Sequence, residues 1–188
     1  MAKVAIVTGA SKGLGRQIAK RFAAEGIQVV ACARSAELLN DLAKEAKQNI
    51  LPFPCDVTDA SQVQALIEYT IEQTGQLDYL INNAGLGRFA PIDQLSEEDW
   101  DAMINLNLKG CFLTAKYAIP HLKKTKGHIV NISSIAGSVA FAGGGGYCTS
   151  KAGLNMLSEA LSIELKPHEV RVTTISPGSI KTEFNQPK

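Results

Sequence analysis

The sequence lacks any long apolar run. After Met1-Ala2-Lys3 only four apolar residues, 4–7, precede the polar Thr8, too few for the core of a secretory signal. The longest weakly polar stretch, 135–146, is glycine-rich and far short of a bilayer span. A soluble, cytoplasmic protein is therefore expected. Charge of one sign is also missing: 19 Lys and Arg stand against 18 Asp and Glu, and no basic run exceeds Lys123-Lys124-Thr125-Lys126. Without an extended field for phosphate backbones or anionic lipid, neither nucleic acid nor membrane is an expected partner. Cys32, Cys55, Cys111 and Cys148 are widely spaced, with no Cys-x-x-Cys pair and no His at ligand spacing, so reduced thiols near the core are expected and no metal. No Gly-x-Ser-x-Gly elbow exists, and His121, His128 and His168 have no evident Ser partner, which disfavours a nucleophilic hydrolase.

What is present is alternation. Short β-branched runs at 4–7, 28–33, 50–54, 78–82, 128–132 and 170–175 read as strands, with helix-sized segments between them. In the first such segment Leu14, Ile18 and Phe22 recur every four residues, opposite Arg16, Gln17, Lys20 and Arg21. Asp59 followed by Gln62, and Ser96 followed by Asp99, suit helix starts, the second opening a long helix through Leu122. Met103 and Met156 fall in helical patterns and read as core. Parallel strands need crossover helices, so the pattern predicts a three-layer α/β/α, doubly wound parallel sheet of the Rossmann type, order 3-2-1-4-5-6, covered on both faces. With no repeat, linker or low-complexity tract beyond Gly143-Gly144-Gly145-Gly146, one domain over 1–188 is expected.

Directly after the first strand comes Thr8-Gly9-Ala10-Ser11-Lys12-Gly13-Leu14-Gly15, opening into the first helix. Glycine lets the backbone turn tightly and approach a pyrophosphate, and the helix start offers free N–H groups and a positive dipole. Tyr147 and Lys151, four apart, share a helix face. Ser134 lies thirteen residues before Tyr147, at the carboxyl end of the fifth strand, where open α/β sheets place their ligands.

The spacing Thr-Gly-x-x-x-Gly-x-Gly resembles that of the short-chain dehydrogenase/reductase family, and further matches run to the end of the chain. Asn82-Asn83-Ala84-Gly85 looks like the family's sheet-stabilising motif beside the cofactor, and Asp56-Val57 like the pair that meets the adenine. Asn107-Leu108-Lys109-Gly110 is similar to the motif whose Asn joins the catalytic tetrad. Pro177-Gly178, Ile180 and Thr182 resemble the segment over the nicotinamide. The resemblance implies Tyr147 as acid/base, Ser134 holding the substrate oxygen, Lys151 also binding the nicotinamide ribose, and Asn107 holding a water for proton relay. Hydride addition to a carbonyl builds charge on oxygen, so a poised acid is needed. A free tyrosine has a pKa of about 10, which the Lys151 ammonium should lower.

The cofactor sites implied are thus Gly9, Ser11, Lys12, Gly13, Leu14, Gly15, Arg34, Asp56, Val57, Asn83, Ala84, Gly85, Tyr147, Lys151, Pro177, Gly178, Ile180 and Thr182. An acid about twenty positions past the glycine turn would favour NAD(H). Instead the second strand ends Ala33-Arg34, and with Lys12 this points to NADP(H), NAD(H) being the weaker choice. The activity implied is interconversion of a carbonyl and a secondary alcohol, of carbonyl or 3-oxoacyl reductase type, on a small-molecule substrate. The sequence stops at Lys188, where family members continue with a substrate-covering region and a seventh strand; a truncated nucleotide-binding homologue acting as sensor or scaffold is the alternative. Surplus apolar positions on the helices at 97–122 and 147–165, including Ile104, Leu108, Phe112, Tyr117, Met156, Ile163 and Ala160, suggest a homodimer rather than the family's common tetramer.

Overall fold

The computed structural model describes residues 2–46 and 49–179. The β-branched runs form strands β1 (Val4–Thr8), β2 (Gln28–Ala33), β3 (Ile50–Pro54), β4 (Tyr79–Asn82), β5 (His128–Ile132) and β6 (Arg171–Ile175). They pair in parallel in the order β3-β2-β1-β4-β5-β6. This is the doubly wound Rossmann order that the alternation predicts. Between the strands lie helices α1 (Gly13–Ala24), α2 (Ala36–Glu45), α3 (Ala60–Thr74), α4 (Glu97–Ile104), α5 (Gly110–Thr125) and α6 (Gly145–Leu165). The order reverses between β1 and β4, and a crevice opens there at the carboxyl ends of the strands.

One core lies between the sheet and α3, α5 and α6, built on Ile6, Val30, Leu80 and Ile129 against Leu66, Leu122 and Leu165. The other joins Val7, Val29 and Ala31 to Ala19, Leu39 and Leu42 of α1 and α2. That second face is not covered throughout, contrary to expectation: among the described residues, Arg171, Thr173 and Ile175 of β6 are exposed on it. The stripe of α1 is also rotated by one position. Gly15, Ala19 and Ala23 are its buried residues, and Leu14, Ile18 and Phe22 pack at the margin. Small side chains on the inner line let the helix lie close to the sheet.

The predicted helix caps form. Asp59 accepts from the backbone N–H groups of Ser61 and Gln62, and Ser96 from that of Asp99. The long helix expected through Leu122 is instead α4 and α5, joined by a π turn at Asn105–Lys109. There the Gly110 N–H reaches back to the carbonyl of Asn105. A π turn inserts one extra residue into a helix and re-aims a side chain, often at a functional site. Met103 is fully buried as expected, but Met156 is 65% exposed, because α6 turns Leu154, Ser158, Leu161 and Leu165 inward instead.

Candidate active site

The glycine turn is built for close approach. Gly9 has φ +65° and Gly13 φ +56°, conformations that cost little only for glycine. A Cβ on Gly9 would stand 2.8 Å from Ala84 Cα, and one on Gly15 would collide with the Gly9 carbonyl and the Asn83 amide. The turn is tied across to β4: Thr8 Oγ1 accepts from the N–H groups of Asn83 and Ala84, each at 3.0 Å, and Asn83 Nδ2 donates to the Thr8 carbonyl at 2.9 Å. Asn82 faces the other way and is buried. Its Oδ1 accepts from Thr114 and its Nδ2 donates to Asn131, whose own Nδ2 donates to Ser158. This chain of amides and hydroxyls links α5, β4, β5 and α6 through the interior, with every partner satisfied, as buried polar groups require.

The turn forms one end of a cavity of about 720 Å³. Along its wall lie Lys12, Arg34, Asp56 and Val57, then Asn83, Ala84 and Gly85, then Ser134, Tyr147 and Lys151, and finally Pro177 and Gly178. Lys12 and Arg34 are exposed, and among the described residues neither forms an ion pair. The nearby Arg16, by contrast, is held by Glu45 at 2.7 Å and by the Leu38 carbonyl. No carboxylate stands at position 33 or 34.

At the far end Tyr147 sits in the first turns of α6, one turn ahead of Lys151. Lys151 is only 4% exposed, and its Nζ donates to the Ile132 carbonyl at 2.8 Å, 5.9 Å from the centre of the Tyr147 ring. Burial lowers the Lys151 pKa. It also raises that of Tyr147, a hydrogen bond with Ser134 pulling the other way. The expected lowering by Lys151 is therefore reversed in the protein's own residues: desolvation of the phenolate outweighs the favourable contacts. Ser134 follows β5 and caps the short 3-10 turn Ile135–Gly137, its Oγ accepting from the Ala136 N–H at 3.1 Å.

Asn107 is fully buried in the π turn and does not line the cavity. Its Nδ2 donates to the Leu86 carbonyl and to Ser150 Oγ, both at 2.9 Å, and its Oδ1 accepts from the Leu86 N–H at 2.8 Å. Both amide hydrogens are thus committed to protein partners. Ile180 and Thr182 lie outside the described residues. All other expected cofactor and catalytic positions meet on the one cavity. Residues that escaped the sequence reading are Leu86 and Ser150, which hold Asn107, and Ser133 and Asn155, bonded at 2.6 Å behind Lys151. Phe89 and Phe141 escaped it too. Their only sequence signal was being large and apolar beside glycine-rich loops.

The profile of the family described as "short chain dehydrogenase" matches residues 3–188. A 3-oxoacyl-(acyl-carrier-protein) reductase of Thermotoga maritima is 38% identical over 188 residues, 98% of this chain and 76% of the relative. An L-fucose dehydrogenase of Oryctolagus cuniculus is 36% identical, covering 98% of this chain and 65% of that one. Among solved structures, an alcohol dehydrogenase of the archaeon Thermococcus sibiricus, complexed with 5-hydroxy-NADP, superposes with TM-score 0.94 at 33% identity over 98% of this chain and 79% of the other. A 3-ketoacyl-(acyl-carrier-protein) reductase of Brucella melitensis complexed with NADH gives TM-score 0.94 at 30% identity, over 97% and 77%. The chain therefore belongs to the short-chain dehydrogenases/reductases.

Proposed function

We propose that this protein is a cytoplasmic, homodimeric oxidoreductase that interconverts a carbonyl and a secondary alcohol, using NADP(H) in preference to NAD(H). The observation carrying this reading is that Ser134, Tyr147 and Lys151 share one cavity with the glycine turn. A dinucleotide fits: the glycines let the turn pack directly on Asn83 and Ala84, where side chains at Gly9 and Gly15 would force it apart, and the start of α1 opens onto the cavity. Lys12 and Arg34 would hold a ribose 2′-phosphate, and the end of β2 carries no carboxylate at position 33 or 34 for a free 2′-hydroxyl. Pro177 and Gly178 would close the nicotinamide end.

A bound nicotinamide supplies or accepts the hydride. Ser134 Oγ donates to the substrate oxygen and orients it. Tyr147 gives its phenolic proton to that oxygen as charge develops during reduction, and removes it in the reverse direction. Lys151, held on Ile132, would set its ammonium near the phenol and would hold the nicotinamide ribose. Asn107 acts through position, fixing Leu86 beside the cofactor segment and Ser150 one helical step from Lys151. On the outer side of α5 and α6, Phe112, Met156 and Ile163 are exposed apolar residues that a second copy would cover. Among the described residues, no helix is long and apolar enough to cross a membrane. The test is replacement of Tyr147 by Phe. Carbonyl reduction, followed as nicotinamide absorbance, should fall at least a thousandfold with cofactor affinity nearly unchanged, while Lys151→Ala should damage both; a Phe variant keeping most of the rate would refute Tyr147 as the acid.

A further inference from the structure

Beside Tyr147 the cavity wall is hydrocarbon. Phe89, Ile135, Val139 and Phe141 all line it and are 50%, 55%, 66% and 49% exposed. The Phe89 ring stands edge-on to Tyr147, centroids 5.7 Å apart at 77°, and tilts against Phe141 at 5.8 Å. The four-glycine tract makes room for this wall. A Cβ on Gly144 would lie 2.6 Å from the Phe141 ring, and one on Gly145 2.9 Å from Ile92 Cδ1. The Ala90 N–H donates to the Gly143 carbonyl at 3.0 Å, fastening the Phe89 loop to the same tract.

Charge sits elsewhere. Among the described residues lining the cavity, the charged side chains are Lys12, Arg34, Asp56 and Lys151. The first three belong to the glycine turn and the ends of β2 and β3, across the strand order from β5, and Lys151 is buried and bonded to Ile132. Of the two serines at the end of β5, Ser133 donates to Asn155, and Ser134 lines the cavity hydrogen-bonded with Tyr147. A sugar's hydroxyls or a substrate carboxylate would lose water here and meet carbon, a cost without a partner.

We infer that the substrate is an uncharged ketone or aldehyde whose carbonyl carries an extended apolar group, alkyl or aryl, lying against Phe89 and Phe141. This rests on the oxidoreductase reading and deepens it. Within a methyl-ketone series from 2-butanone to 2-octanone, kcat/KM should rise roughly threefold to fourfold per methylene, the factor expected for burying each one. Dihydroxyacetone should be a poor substrate. Phe89→Leu should reduce the slope, and Phe141→Ala and Gly144→Ala should flatten it, each with NADPH affinity unchanged as the check on folding. Turnover with no dependence on chain length, or preference for the polyhydroxylated ketone, would overturn the inference while leaving the oxidoreductase reading intact. Calorimetric titration of the same ketones into the Tyr147→Phe protein saturated with NADPH reads the slope without turnover. A slope there with an inactive unmodified protein would support the apolar wall and sink the catalytic reading; a flat titration would overturn the wall.

Discussion

Asn107 is where the geometry makes the strongest quantitative demand. Replacement by Ala removes three hydrogen bonds at once and leaves the Leu86 N–H and C=O without their side-chain partners. An unsatisfied buried backbone group costs about 1–3 kcal/mol, and Leu86 is only partly buried, so water recovers some of that. A net loss of about 3 kcal/mol follows, which for a domain of this size lowers Tm by roughly 6–12 °C. Asn107→Asp sharpens the test. It keeps the shape and the acceptor toward the Leu86 N–H, but sets a carboxylate oxygen against the Leu86 carbonyl and against Ser150 Oγ, whose proton is already given to the Tyr147 carbonyl at 2.8 Å. The Asp variant should be no more stable than the Ala variant.

A second readout separates positioning from mere stability. A Cβ on Gly85 would lie 3.1 Å from Asn107 Oδ1 and 3.6 Å from Lys151 Nζ, so slackening around Asn107 reaches the catalytic lysine across one glycine. Well below Tm, kcat for carbonyl reduction should fall by tenfold or more while KM for the cofactor changes little. Thermal unfolding by circular dichroism, paired with initial rates at 20 °C, decides the matter. An Ala variant melting within about 1 °C of the unmodified protein would refute the energetic argument, and a destabilised variant with normal kcat would reduce Asn107 to a structural role.

Arg34→Asp should reverse the preference for NADP(H), since a charge-assisted hydrogen bond of about 1.5–3 kcal/mol becomes a repulsion; equal affinity of the unmodified protein for NADPH and NADH, measured by fluorescence titration, would sink the assignment. Ser134→Ala should slow reduction and also move its alkaline limb to higher pH. The Ser134 hydrogen bond lowers the Tyr147 pKa, so losing it raises that pKa and keeps the phenol protonated further up the scale; a limb that stays put or moves down would contradict this. Sedimentation at micromolar concentration should give a dimer, and Ile163→Glu, placing the same charge twice across a two-fold interface, should give a monomer. A monomer before any substitution would refute the interface.

The fold was legible because its signals are local and redundant. Three strands begin and end where the β-branched runs do, and Asp59 and Ser96 cap the helices their spacing announces. The cofactor cradle was legible because close backbone approach needs glycine itself, which leaves a mark in the letters. The π turn left none. Asn105–Lys109 has helical composition, and what bends it is the reach of Asn107 to Leu86 and Ser150, partners 21 and 43 residues away in sequence. The outer face of α6 misled for a related reason: Met156 fits a helical period, but the period alone does not say which of two apolar lines faces the sheet. The aromatic wall was hidden in the same way, since the four glycines read as a low-complexity tract until Phe141 and Ile92 are seen lying against them.

The pKa reversal at Tyr147 carries the most mechanistic weight. One cause, burial, raises the phenol and lowers the amine, so the same environment favours the neutral form of both. A neutral phenol is the proton donor that carbonyl reduction needs, and it is present across the neutral range without assistance. Alcohol oxidation needs the phenolate instead, which these residues disfavour. The positive charge of an oxidised nicotinamide would oppose the burial cost when that form is bound, so the ease of proton removal becomes tied to which cofactor form occupies the cavity. Under the proposed mechanism, the direction of proton transfer would then follow the redox state of the dinucleotide. This also explains why Lys151 is anchored on the Ile132 carbonyl rather than drawn onto the phenol oxygen. From there its Nζ stands 5.9 Å from the ring centre, which under the proposed mechanism would leave Ser134 and Tyr147 to share the substrate oxygen.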